Sequence, residues 1–142
     1  MKVIISGCGK AGLAILEVLL KEKHSVTVID VDHKVIETIV NSYDVLGICG
    51  NGTSYEILSE AGANDADLFI SATNSDEFNM LSCFVAKQMG TPYTVARIRN
   101  PEYSNPGFEF VKKQLGINLA INPELLTAKT LFNILQVPSS TH

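Results

Sequence analysis

Residues 2–12 read Lys2-Val3-Ile4-Ile5-Ser6-Gly7-Cys8-Gly9-Lys10-Ala11-Gly12. An apolar-striped segment through Leu13, Leu16, Val18, Leu19 and Leu20 follows, and then Val26-Thr27-Val28-Ile29-Asp30. A strand, a G-x-G-x-x-G, a helical pattern, a second strand and a closing acid, in that order, form the dinucleotide-binding fingerprint. Each glycine has a physical task. Gly7 permits the tight turn out of the strand, Gly9 lets a pyrophosphate approach the backbone, and Gly12 lets the helix pack close. The helix N-terminus then offers N–H groups and the positive end of its dipole to phosphates. Asp30, eighteen residues past Gly12, stands where an acid accepts hydrogen bonds from a ribose diol. Lys10 points the same way: a cation in a first helical turn opposes the dipole unless an anion is nearby.

The same alternation of apolar run and helical pattern continues to the end of the chain, the signature of βαβ units and a parallel sheet. Asp32 is placed to cap a second helix whose inward face is Val35, Ile36, Ile39 and Val40. Val45–Cys49 is a third strand. It is followed by the turn Gly50-Asn51-Gly52-Thr53, with Thr53 and Glu56 spaced as a capping box and Gly62 closing the helix. Leu68–Ala72 is a fourth strand, after which Asn74 and Glu77 have capping-box spacing for a helix ending at Gly90. Tyr93–Ile98 is a fifth strand. Residues 99–107 carry turn chemistry, 108–115 a short helix and 118–121 a sixth strand. Asn122 and Pro123 open a last helix over about 123–136. The expectation is an α/β fold: a doubly wound, six-stranded parallel sheet in the order 3-2-1-4-5-6 with an additional C-terminal helix, all in one domain over 1–142. Its crevice lies at the carboxyl ends of the strands, between strands one and four.

Bulk properties narrow the function. With 142 residues and 46% hydrophobic content the chain fills one proper core. A net charge of −4 gives no electrostatic reason to expect nucleic acid. No stretch approaches ~18 uninterrupted apolar residues, and a strand begins by residue 3, so neither direct membrane insertion nor a signal peptide is expected. Three cysteines without a C-x-x-C suggest neither a disulfide framework nor zinc. Cys8 is either a reactive thiol at a helix N-terminus or a small residue that fits the turn, and cysteine usage favours the second. A cytoplasmic protein is the expectation.

Small and polar residues gather at every strand's carboxyl end: Gly7–Gly12, Asp30 with Val31 and Asp32, Gly50–Thr53, Ala72–Asp76, and Arg97 with Arg99. Asn51 and Gly52 fall toward an adenine, and Thr73 and Asn74 toward the second ribose or the phosphates. Arg97 ends an apolar strand and needs a partner, either a phosphate or Asp76 or Glu77 in an ion pair. No histidine stands at a strand's carboxyl end, His24 being a surface residue at the opposite edge. No nucleophilic triad can be assembled, which favours a binding module over a small NAD-dependent oxidoreductase; an oligomerisation scaffold with a vestigial pocket is the third alternative. Asp30 and Asp32 repel a 2′-phosphate, so NAD or NADH is expected over NADP(H), with ATP or ADP as the alternative.

Six segments together carry a more specific resemblance: Gly7–Gly12, Val28–Asp32, Gly50–Thr53, Glu60–Asp67, Thr73–Asn79 and Ala96–Tyr103. Nearly the whole chain resembles the TrkA N-terminal domain, also called the KTN or RCK N-terminal domain, a cytosolic regulatory module of potassium transporters and channels. The resemblance implies NAD(H) binding, or ADP/ATP in some branches, dimers that build into a ring, and gating of a potassium transporter membrane subunit. It implies that Gly7, Gly9, Lys10 and Gly12, with Cys8 and Ala11 in the same loop, meet the phosphates, and that Asp30 meets the adenosine ribose. Val31, Asp32, Gly50, Asn51, Gly52 and Thr53 would flank the adenosine, with Ala72, Thr73, Asn74 and Arg97 nearer the phosphates or distal ribose. Asn51 departs from the acid common there. Family members often carry a smaller C-terminal ligand-binding domain, so the chain is expected to be an excised N-terminal domain or a single-domain relative. The last helix, with Leu125, Leu126, Leu131, Phe132, Ile134 and Leu135, is expected to form a two-fold dimer interface.

Overall fold

In the computed structural model, residues 1–122 and Asn133 are described. The chain alternates β1 (Lys2–Ser6), α1 (Lys10–Lys21), β2 (Ser25–Asp30), α2 (His33–Ser42), β3 (Leu46–Cys49), α3 (Tyr55–Glu60), β4 (Leu68–Ser71), α4 (Asp76–Met89), β5 (Tyr93–Arg97), α5 (Pro106–Leu115) and β6 (Leu119–Ile121). A 3-10 turn over Pro101–Ser104 links β5 to α5. The six strands form one sheet in the order β3-β2-β1-β4-β5-β6, all neighbours parallel. This is the order expected from the sequence. The expected helix over about 123–136 lies outside the described residues.

Period-2 alternation divides β1 between two cores. Val3 and Ile5 face Ile15, Leu16 and Leu19 of α1 and Ile36 and Ile39 of α2. Ile4 faces the other side with Leu58 of α3, Met80, Cys83 and Ala86 of α4, and Phe108 of α5. Each fully buried Leu, Ile or Phe contributes roughly 1.5–3 kcal/mol of transfer free energy. The chain crosses from one face to the other between β3 and β4, so α1 and α4 leave the ends of β1 and β4 on opposite faces of the sheet and a crevice opens above those strand ends.

Capping departs from the sequence expectation at two helices. Ser54, not Thr53, caps α3, its Oγ accepting from Ile57 N–H. Thr53 is instead held by the Asn51 Oδ1, which accepts both its N–H and its hydroxyl. Ser75, not Asn74, caps α4 through Phe78 N–H at 3.1 Å. The Asn74 Oδ1 accepts from Arg97 Nη1. At α3 the residue with capping spacing is taken within its own turn by Asn51, and at α4 by Arg97 from the end of β5. α5 begins two residues earlier than expected because Asn105 caps it and Pro106 enters at its first turn. Asp32 caps α2 as expected, accepting from Lys34 N–H at 2.9 Å. His24, expected on the surface, is half-buried and lies with Nδ1 3.0 Å from the Met1 amine.

Candidate functional site

The turn after β1 is shaped by three glycines with different constraints. Gly7 has φ +94°, and a Cβ there would stand 2.8 Å from Thr73 N and 2.9 Å from Ala72 C. The turns after β1 and β4 thus touch backbone to backbone. A Cβ on Gly12 would meet the Gly7 carbonyl oxygen at 1.8 Å, so α1's first turn lies directly on the loop that precedes it. Gly9 is the contrast. A Cβ there would meet nothing within 4 Å, which leaves its backbone open to an approaching group.

Gly9 is also the N-cap of α1, with no side-chain hydrogen bond to the helix N–H groups and no acid in the first turn. By contrast, α2, α3, α4 and α5 each receive a side-chain cap. Lys10 is exposed beside this terminus and enters no ion pair among the described residues. The result is an uncapped helix end with one cation, the arrangement that receives an anion.

Asp30, at the end of β2, closes the neighbouring side. Its Oδ2 accepts from Cys8 N–H and its Oδ1 from Asp32 N–H, both at 2.9 Å. Two amides orient the carboxylate, and each oxygen retains acceptor capacity. On the far side Gly52 packs against β1, since a Cβ there would meet Ser6 Oγ at 2.2 Å. The Gly52 carbonyl accepts from Ser82 of α4.

These elements enclose a cavity of about 450 Å³. Of the residues expected at the site, Gly7, Gly9, Lys10, Ala11, Asp30, Val31, Gly50, Gly52, Ala72, Thr73, Asn74 and Arg97 line it. Cys8, Gly12, Asp32, Asn51 and Thr53 do not. Cys8 is buried on the opposite side of its loop, its Sγ 3.7 Å from Ile29 O. Burial, with the Asp30 carboxylate adding to it, pushes the Cys8 thiol up to about 12, which favours the reading of a small residue that fits the turn over a reactive thiol. Gly12 is buried under the glycine loop, Asp32 is spent on the α2 cap, and Asn51 and Thr53 hold each other. Ser6 and Phe78 join the lining without having been expected, and Ser75 joins it from the Ala72–Asp76 stretch.

Arg97 reaches the crevice from β5. Its Nη1 donates to Thr73 O at 3.0 Å and to the Asn74 side chain at 3.2 Å. The acids expected as its alternatives hold other donors: Asp76 takes Arg99 and Asn100 N–H, and Glu77 takes the Tyr103 hydroxyl at 2.7 Å. Behind this wall Asn79 is fully buried. The spacing of Asn79, Cys83 and Ala86 places all three on the buried face of α4, so a polar residue in an apolar stripe was the signal available in the sequence. A larger polar cavity of about 580 Å³ adjoins the crevice, sharing Asn74 and Ser75 and including Asp76, Arg99 and Asn100. The smaller cavity is the candidate site, because it alone contains the glycine loop and the ends of β1 and β2.

The TrkA-N domain model matches residues 3–123. The chain is 36% identical over 138 residues to the Trk system potassium uptake protein TrkA homolog of Methanothermobacter thermautotrophicus, covering 97% of this chain. It spans 62% of that relative's length. Among solved structures, the TrkA-N domain of the inner membrane protein ybaL from Escherichia coli superposes with a TM-score of 0.76 at 18% identity, covering 94% of this chain and 96% of that one. The GsuK channel bound to NAD gives 0.70 at 17% identity, covering 84% of this chain and 21% of that chain. These two likenesses concern the fold. With the family model spanning both the glycine loop and the Thr73–Arg97 wall, the chain belongs to the TrkA-N domain family.

Proposed function

We propose that this chain is the nucleotide-binding regulatory domain of a potassium uptake system, taking NAD(H) in the crevice between β1 and β4 and performing no turnover. The observation that carries the proposal is the uncapped N-terminus of α1, with Gly9 open beside it and Asp30 fixed at the adjacent strand end. Phosphates fit at the α1 N–H groups and Lys10. A ribose diol fits the remaining acceptor capacity of Asp30. Val31 and the Gly50–Gly52 turn flank the adenosine half, and Ala72, Thr73, Asn74 and Arg97 the distal half. Cys8, Gly12, Asp32, Asn51 and Thr53 serve from outside the lining by holding the loops. A bound dinucleotide supplies a ligand spanning the glycine-loop side and the β4–β5 side at once.

A regulatory rather than catalytic role is supported by where the polar side chains are spent. Asp30 orients two backbone amides, and Arg97 holds Thr73 and Asn74. The M. thermautotrophicus relative is named a potassium uptake protein, and GsuK is a channel with NAD bound. On that basis the partner is a potassium transporter membrane subunit at the cytoplasmic face. No helix among the described residues is long and apolar enough to cross a membrane. A homodimer formed through the final apolar segment would pass a change in the crevice to that partner.

Isothermal titration with NADH, NADPH, ATP and ADP side by side tests the ligand. NADH is expected to bind more tightly than NADPH. Tighter NADPH binding overturns the NAD(H) assignment, and preferred ATP or ADP moves the same role to an adenine mononucleotide. Robust hydride transfer to any of a substrate panel, dependent on residues of this chain, overturns the regulatory reading.

A further inference from the structure

Asn79 lines neither cavity, yet its carboxamide organises one wall of the crevice. It is 0% exposed, in the first turn of α4. Its Oδ1 accepts from Ser71 Oγ at 2.9 Å, Thr73 N–H at 2.9 Å and Thr73 Oγ1 at 2.7 Å. Its Nδ2 donates to Thr73 O at 3.1 Å and to Arg97 O at 2.9 Å. The amide orientation is fixed by these partners. A backbone N–H demands the oxygen on one side, and two carbonyls demand the nitrogen on the other.

The Thr73 carbonyl also accepts from Arg97 Nη1, so Asn79, Thr73 and Arg97 close a triangle. Of the three, only Asn79 grips both the turn after β4 and the end of β5. A Ser or Thr hydroxyl is too short for five such contacts, and an aspartate lacks the donors. The triangle stands on the β4–β5 side of β1, whereas Asp30 stands on the β2 side. We infer that Asn79 is a positioning residue for the distal half of the bound dinucleotide: it sets Thr73 and the Arg97 guanidinium without touching ligand. This inference rests on the nucleotide-binding reading proposed above.

The test compares NADH with AMP, which carries the adenosine half alone, on the 142-residue chain. Asn79→Ala removes the carboxamide. Asn79→Asp keeps its shape and acceptors but loses both donors, and serves if the alanine variant does not fold. Ser71→Ala removes one hydrogen bond to Asn79 and leaves the triangle intact, which makes it the control for general loosening of the core. For either Asn79 variant, NADH affinity is expected to fall about tenfold or more, as for loss of a charge-assisted contact, while AMP affinity stays within about twofold. Ser71→Ala is expected to lower the urea midpoint without changing the NADH-to-AMP ratio. Parallel losses for both nucleotides, an unchanged ratio, or an equal change in Ser71→Ala overturns the positioning role while leaving nucleotide binding standing. Native protein that binds neither nucleotide overturns the binding reading, and this inference with it.

Discussion

The Gly7 carbonyl oxygen occupies the place a side chain on Gly12 would need, 1.8 Å from the position of a Cβ there. Three residues away, a Cβ on Gly9 meets nothing within 4 Å. The two glycines of one motif therefore answer to different demands, one to packing and the other to an approaching ligand.

Substitution separates them. Gly12→Ala forces α1 off the loop, and its unfolding midpoint in urea should fall by the equivalent of about 1–3 kcal/mol, the range for overpacking. Gly9→Ala, with φ −74° and ψ −162°, adopts its backbone without strain. Its stability should stay within about 0.5 kcal/mol of the parent, as for surface changes, while NADH affinity falls. A Gly9→Ala protein that binds NADH normally would remove the ligand-approach role from that position.

Asp30 couples the glycine loop to α2, because its two oxygens take the amides of Cys8 and Asp32. Asp30→Ala loses a charged acceptor for the ribose, and NADH binding should weaken by about 1–3 kcal/mol. The same change removes a negative charge from the site of a 2′-phosphate, so the preference for NADH over NADPH should narrow. Side-by-side titration of the variant measures both. An unaltered preference would place the discrimination elsewhere.

The βα alternation, the parallel sheet and the crevice at the carboxyl ends of the strands were legible because they follow from the backbone, whereas the order 3-2-1-4-5-6 was only suggested by the doubly wound pattern, which other strand orders also satisfy. The commitments of individual side chains were not legible, because they depend on loops that meet only in three dimensions. Cys8 lies in the glycine motif yet points away from the cavity, since its amide is claimed by Asp30, 22 residues on. Asn74 has capping spacing, but Arg97 from the end of β5 takes it, while Thr53 is taken within its own turn by Asn51. Asn79 sits in a helix that reads as apolar, and its role appears only when the ends of β4 and β5 are brought together.

The three cysteines should differ sharply toward an alkylating reagent. Cys49 is exposed, whereas Cys8 and Cys83 are buried, with burial pushing each thiol up to about 12. The thiolate is the reacting species. Near pH 8 in native protein, iodoacetamide should modify Cys49 and spare the other two until the chain unfolds. Mass mapping of the labelled peptides decides it. Labelling of Cys8 as fast as Cys49 would mean that the glycine loop opens in solution.

His24 should give the fold a pH dependence on its acid side. Burial first, and then the nearby Met1 amine, hold its imidazole below the usual histidine value, with Glu22 opposing them weakly. The unfolded chain therefore takes up a proton at a higher pH than the folded one. Between the ordinary value near 6.5 and the lowered folded value, the unfolded state binds more protons, so stability falls as pH decreases through that window. From about one pH unit above 6.5 both states carry a neutral ring and the contribution is level. His24→Gln should flatten that part of the urea-midpoint profile between pH 7 and 5 while leaving carboxylate effects at lower pH in place. A profile with the same slope in the variant would assign it to other groups.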